Sequence, residues 1–330
     1  MTTVLPPALE RPEQPASVAL ERRVRAIAIA LGLFEVMTKS LTTPEAEQLA
    51  GIKAVRPVVL ADPLKEMAVM RSSLLPSLLE VLRYNGYQGQ KRLGVFEVGR
   101  TYQLAEEAGK PPVETLWLGG AVMGTVWEGL WLPEQTPEPL AADFFYAKGL
   151  VEAIVDRLEL DGELTFTQAT DVPGFHPGRT AALHFAGIPV GHVGELHPRV
   201  VQDYDLPANQ RACAWLLDLG ALAALVSRKH AFSTFSRQPA MLRDLAVVVP
   251  ETLVAGDAIA AIREAGGPLL EKVSMFDRFQ GGAIPAGQVS LGFSLVYRAP
   301  DRTLTTAEVE PVHQGIVDGL QARFGAVLRA

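Results

Sequence analysis

The sequence is short of cysteine and of positive charge, and each shortage excludes a class of protein. Cys213 is the only cysteine among 330 residues, so neither an internal disulfide framework nor a cysteine-based zinc cluster is possible here. A single thiol also suits a reducing cytosol. The formal net charge is −7 and the isoelectric point is near 5.5. That balance excludes a generally basic, histone-like binder of nucleic acid, but it leaves room for a local basic groove.

Long apolar runs and targeting signals are missing as well. Residues 1–7 carry no cationic stretch ahead of an apolar region, as a signal peptide would. Apolar runs such as residues 24–33, which contain Arg25, fall well short of the roughly 20 residues that cross a bilayer. We therefore expect a soluble, cytoplasmic protein that makes no membrane contact.

What the chain does have is enough length and apolar content for two domains. Hydrophobic residues make up 48% of the 330 residues and charged residues 20%, which excludes wholesale disorder. Domains usually run to about 100–200 residues. Prolines at positions 6, 7, 12 and 15 predict an extended, Pro-rich lead-in over residues 1–16.

Residues 17–228 predict a mainly antiparallel sheet flanked by helices, which is an α+β plan. Apolar residues recur at helical spacing from Leu20 to Leu31, and Gly32 ends that helix. A second helix is expected to open at 70–73, and Asp143 to cap a third that runs to Leu158. Strand patterns occupy 33–41, 94–102, 116–126, 164–168, 181–185 and 189–194.

Residues 234–330 predict a second domain with the order strand, helix, strand, strand, helix, strand. Alternating apolar residues mark the first and third strands. The capping box Thr305–Glu308 opens the last helix. This βαββαβ order is typical of a ferredoxin-like fold. The alternating residues are Leu245, Val247 and Val249, then Leu291, Phe293, Leu295 and Tyr297.

General catalytic motifs do not occur in the sequence. It contains no GxxxxGK[ST] phosphate loop, no HExxH and no GxSxG. His192 and His197 are separated by four residues, but no third ligand lies near them in sequence, so we interpret them as structural histidines and expect no metal site.

A set of longer motifs resembles one family closely. In chain order these motifs resemble the β subunit of bacterial phenylalanyl-tRNA synthetase, over nearly the whole chain but only in the C-terminal part of that subunit. The family's N-terminal modules, including an editing domain and an OB-fold tRNA-binding domain, have no counterpart in these residues, so we expect no editing of mischarged tRNA. The motifs span 70–76, 82–85, 96–100, 176–179, 194–198, 243–246, 276–277 and 302–305.

For residues 17–228 the resemblance implies a class II synthetase-like module that does not catalyse and that packs against the catalytic α subunit in an α2β2 assembly. Class II catalysis needs an arginine just before the motif 2 glutamate, whereas Gly94, Val95 and Phe96 precede Glu97. It also needs a glycine-rich strand and helix with a terminal arginine, whereas residues 214–220 are apolar apart from one acid. We expect ATP and Mg²⁺ to bind in the complex with α and not in this chain. We interpret Arg92 and Arg100 as structural ion-pairing residues.

For residues 234–330 the resemblance is to the ferredoxin-fold anticodon-binding domain, whose exposed sheet face reads unpaired bases by stacking and hydrogen bonding. We expect the arginines to contact phosphates or bases, the aromatic rings to stack, and Ser290 to meet a base edge. Two alternatives stay open, because Phe276 could be a core residue and Arg243 could pair with Asp244. The candidate residues are Arg243, Asp244, Phe276, Phe279, Ser290, Tyr297, Arg302 and Thr303.

The function that follows is that of a non-catalytic β-subunit portion of phenylalanine–tRNA ligase. It would support the α subunit and bind the tRNA(Phe) anticodon, with no DNA partner and no activity alone. One alternative is a free-standing paralogue that senses an amino acid or regulates. The other is an independent RNA-binding module without a synthetase partner, which the acidic composition disfavours.

Overall fold

A computed structural model describes residues 15–64, 66–126, 141–207, 210–225, 236–282 and 284–329. Its contacts divide the chain into two units, residues 1–230 and 231–330. The lead-in expected over 1–16 lies outside the described residues as far as residue 14. Among the helices described, none combines the length and apolar character needed to span a membrane.

The first unit is built on a sheet of seven described strands: β1 (Phe34–Glu35), β5 (Arg92–Gln103), β6 (Val113–Gly124), β7 (Leu164–Gln168), β8 (Phe175–Phe185), β9 (Ile188–Leu196) and β10 (Ala212–Asp218). Their order across the sheet is β1-β5-β6-β10-β9-β8-β7. Neighbouring strands are antiparallel except β1, which pairs parallel with β5. A smaller sheet joins β2 (Leu41–Thr42), β3 (Val59–Leu64) and β4 (Met67–Met70) in the order β2-β4-β3.

Helices cover both faces of the large sheet. On one face, three helices pack around the fully buried Trp215: α1 (Ala16–Ala30), α4 (Phe144–Leu158) and α6 (Leu219–Ala223). On the other, α3 (Leu75–Tyr87) buries Leu75, Leu78, Leu79 and Leu82, and α2 (Pro44–Leu49) and α5 (Pro198–Asp203) complete the layer. We call this second side the α3 face. Its leucines lie against Val95, Ala121, Ala214 and Leu216 of the sheet.

Most of the helices and strands predicted for this unit are confirmed, and two differ at their ends. Asp143 caps α4 by accepting a hydrogen bond from the Tyr146 N–H, and α4 ends at Leu158 as predicted. The helix expected to open at 70–73 begins at Leu75 instead, because Met70 still pairs in a strand and the Arg71 N–H donates to the Ser40 carbonyl. The strand expected over 33–41 is divided between β1 in the large sheet and β2 in the small one.

The second unit confirms the βαββαβ order. The elements are β11 (Met241–Pro250), α7 (Ala255–Gly266), β12 (Leu270–Phe279), β13 (Gln288–Tyr297), α8 (Thr306–Phe324) and β14 (Val327–Leu328). The four strands pair antiparallel in the order β12-β13-β11-β14, which is a ferredoxin-like arrangement. Thr305 and Glu308 form the predicted capping box.

The two faces of this sheet differ in cover. Side chains alternate along a strand, and the odd-numbered residues of β11 and β13 form one core with α7 and α8. The even-numbered residues of both strands, such as Asp244 and Ser294, lie on the opposite side. We call that side the open face. Because both helices pack on the first side, the open face is where aromatic side chains of this unit reach the surface.

Candidate nucleic-acid interface

Phe276 lies on the open face because β12 has a bulge beside it. The pairing of β12 with β13 shifts register between Met275 and Asp277, so the residue between them is released from regular alternation. A Cβ atom placed on Gly292 would come within 3.0 Å of Cζ of Phe276, so the ring lies over a strand position that carries no side chain. The ring is 62% exposed, which rules out the alternative that Phe276 is a core residue.

Phe279 and Ser290 form a second feature of the open face, and Arg329 joins them. Phe279 pairs with Ser290 across β12 and β13, and its ring is 42% exposed. Arg329 continues β14 by donating its backbone N–H to the Ala246 carbonyl, at 2.9 Å. Its Nη1 then donates to Ser290 Oγ at 3.3 Å, and its Cζ lies 5.3 Å from the centroid of the Phe279 ring. Ser290 is buried beneath this arm.

Sequence reasoning missed Arg329. The available signal was its position directly after the last predicted strand, because in a ferredoxin-like sheet that strand lies beside the first one. A basic residue there, on the same side as Ala246, faces the surface that the fold leaves free of helices. Asp244, which the sequence did single out, is exposed on this face opposite Ser294.

Arg243 and Tyr297 lie on the helix-covered side, not on the exposed face where the sequence analysis expected them. Arg243 pairs with Leu295, and Tyr297 is fully buried with its hydroxyl 3.1 Å from Nδ1 of His313. Burial raises the pKa of Tyr297 to about 12. The reason is strand alternation, which gives both residues the parity of the core positions. Alternation also sends Arg243 and Asp244 to opposite faces, and no ion pair joins them in the described part of the chain.

Arg302 and Thr303 lie in the segment between β13 and α8. Arg302 pairs with Glu308 at 3.0 Å and donates to Asp301 Oδ1 at 3.2 Å, and its side chain is 53% exposed. Thr303 Oγ1 donates to Gln238 Oε1 at 3.1 Å. Hydrogen bonds from the Thr305 backbone and hydroxyl, and from Arg302, lower the pKa of Glu308 to about 2.

The eight predicted residues therefore do not form one cluster. Ser290 and Tyr297 are seven residue steps apart on β13, which at roughly 3.3 Å per step is about 23 Å along the strand. Three predicted residues and one that was missed share one region of the open face. We call this region the aromatic patch: Phe276, Phe279, Ser290 and Arg329.

In the first unit, the glutamate that resembles the motif 2 position is part of a buried structural pair. Arg71 Nη1 donates to Glu97 Oε1 at 2.8 Å, and both side chains are 4% exposed. The Thr38 hydroxyl donates to the other carboxylate oxygen, and Arg71 Nε donates to the Arg100 carbonyl at 2.8 Å. Gly99 leaves room for this guanidinium, since a Cβ there would lie 2.4 Å from Arg71 Nη2. The Glu97 carboxylate thus already has its partners.

Other motif residues of this unit are also engaged in structure. Arg179 Nη1 donates to both oxygens of Glu195 at 3.0 Å. His176 and His197 each accept a backbone N–H through Nδ1. Burial lowers the pKa of His192 to about 4, so its ring is neutral at pH 7. The described residues hold no group of three or more His, Cys, Asp or Glu side chains suited to a metal ion.

Arg92 and Arg100 both have structural partners, and among the described residues the ion pair belongs to Arg100. Arg100 lies 3.6 Å from Glu114 with both side chains about half exposed. Arg92 donates to the Val126 carbonyl at 2.9 Å. Neither contact involves a free anion site.

A small cavity of about 180 Å³ opens on the α3 face. Ser72, Thr101, Trp117 and His192 line it together with the exposed Lys53, and no acidic residue is among its described lining residues. The Trp117 indole N–H is already donated to Thr101. A free amino acid needs a carboxylate or carbonyl for its ammonium group, and the described lining of this cavity offers no carboxylate.

Two family models match the chain. Residues 1–219 match the phenylalanyl tRNA synthetase beta chain CLM domain, and residues 236–329 match the ferredoxin-fold anticodon binding domain.

Curated relatives agree with both matches. The phenylalanine–tRNA ligase beta subunit of Geobacillus kaustophilus (strain HTA426) is 37% identical over 312 residues, which are 94% of this chain and 38% of that protein. The corresponding subunit of Moorella thermoacetica is 39% identical over 324 residues, covering 97% of this chain and 39% of that protein. The chain therefore spans less than two fifths of the length of these relatives. A crystal structure of pyrrolysyl-tRNA synthetase from Desulfitobacterium hafniense shares 15% identity with a TM-score of 0.49, covering 63% of this chain and 68% of its own.

Proposed function

The chain belongs to the phenylalanyl-tRNA synthetase β chain family, and from that premise we propose that it is a non-catalytic portion of the phenylalanine–tRNA ligase β subunit. In this role it packs against the catalytic α subunit and binds the anticodon of tRNA(Phe) in the cytoplasm. The observation that carries the proposal is the aromatic patch, where two partly exposed phenylalanines and an arginine share the sheet face opposite the described helices α7 and α8. Unpaired bases bind by stacking on such rings.

Within this proposal the anticodon site is narrower than the sequence alone suggested. Phe276 and Phe279 supply stacking surfaces, Ser290 offers a hydroxyl for a base edge, and Asp244 lies on the same open face. Arg302 and Thr303 border the other end of the sheet, where Arg302 is exposed enough to meet a phosphate. Arg243 and Tyr297 are given a structural role, since they share the helix-covered side.

The α subunit is assigned to the edge of the large sheet at β1. Three apolar side chains are exposed around this short edge strand: Ile29 at the end of α1, Phe34 in β1 and Met37 after it, with exposed fractions of 55%, 68% and 93%. Exposed apolar side chains concentrated at a sheet edge are typical of a protein–protein interface. We propose that they are covered by α in the ligase, with the stoichiometry α2β2.

ATP and Mg²⁺ are assigned to the α subunit. The α3 face of this chain is filled by leucines, and the Glu97 carboxylate is occupied by Arg71 and Thr38. On the same face β10 presents Ala212, Ala214 and Leu216 in place of an arginine that could hold a triphosphate. These residues do not fit a nucleotide, so this chain's contribution is to place tRNA on its partner, where misplacement is costly in rate.

The experiment that tests the proposal is co-expression with the cognate α subunit, followed by size-exclusion chromatography with light scattering and a tRNA(Phe) charging assay. We expect a stable heteromer that charges tRNA(Phe), and no charging by this chain alone. Replacing Phe34 with Asp should prevent assembly, because it places a carboxylate in the apolar contact.

The proposed anticodon binding is tested with a separate variant in the same assay. The double substitution F276A/F279A should raise the KM for tRNA(Phe) at least tenfold with kcat little changed, since base–aromatic stacking is worth about 1–3 kcal/mol per base. The matched control is F145A, which removes a 76% exposed phenylalanine from the first unit. A chain that never joins α would overturn the subunit role. If the KM for tRNA(Phe) of the heteromer is unchanged by the double substitution, the proposed anticodon site is wrong.

A further inference from the structure

Arg329 differs from three other arginines of the second unit, each of which has a carboxylate partner. In the second unit Arg298 pairs with Glu271 at 2.7 Å, Arg302 with Glu308 at 3.0 Å and Arg323 with Glu264 at 2.6 Å. Within the described residues, Arg329 instead contacts a neutral hydroxyl and an aromatic ring. No described carboxylate therefore neutralises its positive charge, although it lies on the surface proposed to meet a polyanion.

The position of this charge is fixed by the backbone and not by the side chain. The Arg329 N–H bonds to the Ala246 carbonyl, so the residue is held in register beside β11 and its side chain points to the open face. From there the arm crosses the row formed by Val248, Ser290 and Phe279, which are paired across three strands. The guanidinium ends beside the exposed ring of Phe279.

The contacts it makes in the free protein are weak enough to be exchanged. A cation near an exposed aromatic ring is worth about 0.5–1 kcal/mol, and a hydrogen bond to a neutral hydroxyl contributes a similar amount. A phosphate offers a charge-assisted, bidentate contact to the same guanidinium. A base stacked on Phe279 would carry its own phosphate into reach of Arg329.

We propose that Arg329 is the phosphate-binding residue of the aromatic patch: it shields Ser290 and Phe279 in the free protein, and pairs with the backbone phosphate of the nucleotide that stacks on Phe279. The inference rests on the proposed function and adds to it a specific cation. On binding, the guanidinium leaves Ser290, whose hydroxyl then becomes available to the base edge.

The test is the salt dependence of RNA binding by the full chain. Binding of a fluorescein-labelled stem-loop with the anticodon-arm sequence of tRNA(Phe) is followed by anisotropy between about 0.05 and 0.5 M salt. The slope of log K against log salt is negative, and the loss of one phosphate contact makes it shallower by about 0.7 for single strands. The ratio of the wild-type affinity to the R329Q affinity should therefore be about fivefold larger at 0.1 M salt than its value extrapolated to 1 M. R329K should restore most of the slope.

The matched control is R323Q, which removes the same charge from α8 on the other side of the sheet, and its slope should equal that of the wild type. Hydrogen exchange of β11 checks that β14 still pairs in R329Q. Weaker binding with an unchanged slope would overturn the phosphate contact, as would binding that becomes tighter. If the wild type binds and R329Q matches it, this inference fails while the proposed function stands. If the wild type does not bind, both fail.

Discussion

The α3 face of the large sheet and the open face of the second unit's four-stranded sheet carry the same kinds of residue for opposite purposes. On the α3 face, Arg71 is 4% exposed and paired with Glu97 under a layer of leucines. On the open face, Arg329 lies beside an exposed ring without a carboxylate partner in the described structure. Residue type therefore does not distinguish structural residues from candidate binding residues in this chain. Their burial, and whether their charge is already paired, does distinguish them.

The same comparison explains why the strongest sequence motifs are poor guides to the interface. Several of them pair with one another: Arg71 of the motif 70–76 pairs with Glu97 of the motif 96–100. Arg179 pairs with Glu195 in the same way. The aromatic patch draws only Phe276 from such a motif and takes its cation from outside all of them. A motif can persist because it builds the sheet and not because it meets a ligand.

The largest expected effect contrasts two phenylalanines on opposite sides of the second unit's four-stranded sheet. Phe293 is fully buried in the core and Phe276 is 62% exposed on the open face. F293A should destabilise the second unit by about 3–5 kcal/mol through the lost contacts and the cavity, whereas F276A should change its stability by no more than about 0.5 kcal/mol. Hydrogen exchange of β13 amides measures both effects.

This readout is needed because all four tryptophans precede residue 231, so indole fluorescence reports only on the first unit. Fluorescence should accordingly give the same unfolding midpoint for both variants and for the wild type. Equal protection of β13 in F293A and F276A would erase the proposed distinction between a core face and an open face.

A second, somewhat smaller effect is expected from the buried pair of the first unit. R71M leaves the Glu97 carboxylate buried without its charged partner, which typically costs about 3–5 kcal/mol. We expect the lower end, about 3 kcal/mol, because Thr38 still donates to Glu97 and reduces the penalty. Tryptophan fluorescence during denaturant unfolding measures it.

R100M is the control for that substitution, since Arg100 pairs with Glu114 at the surface and its carbonyl remains available to Arg71. Exposed pairs contribute about 0–1 kcal/mol. The double variant R71M/E97L should recover part of the loss, because it removes both charges. If R71M and R100M were equally mild, the α3 face would not depend on its ion pair.

Much of the fold could be predicted from the sequence, because alternation and caps are local. Asp143 and the Thr305–Glu308 box are signals of single turns, and the structure confirms both. The alternation Leu291, Phe293, Leu295, Tyr297 also contained the correct side for Tyr297. The family resemblance instead led us to expect Tyr297 on the exposed face of the sheet, whereas it is buried on the helix-covered side.

The remaining parts of the site depend on tertiary pairing that no local pattern encodes. Phe276 reaches the open face because the register of β12 shifts against β13, and a bulge is set by the partner strand. Arg329 acquires its place from β14, a strand of two residues that is too short to show any periodicity. Such positions follow from the register of the finished sheet.

The smallest expected effect concerns the capping box at the start of α8, and it depends on pH. The pKa of Glu308 is lowered to about 2 by the Thr305 hydrogen bonds and by Arg302, below about 4.3 in the unfolded chain. A lowered folded-state pKa means that the stabilisation is complete above the unfolded value and is lost as pH falls towards 2. The α8 amides should therefore be better protected from hydrogen exchange in the wild type than in E308A. This difference in protection should be largest at pH 6–7 and should shrink below pH 4. E308Q keeps the uncharged cap, so its α8 protection at neutral pH should lie between those of the wild type and E308A. If the lower protection of E308A persisted unchanged at pH 2, the carboxylate charge would have no part in the cap.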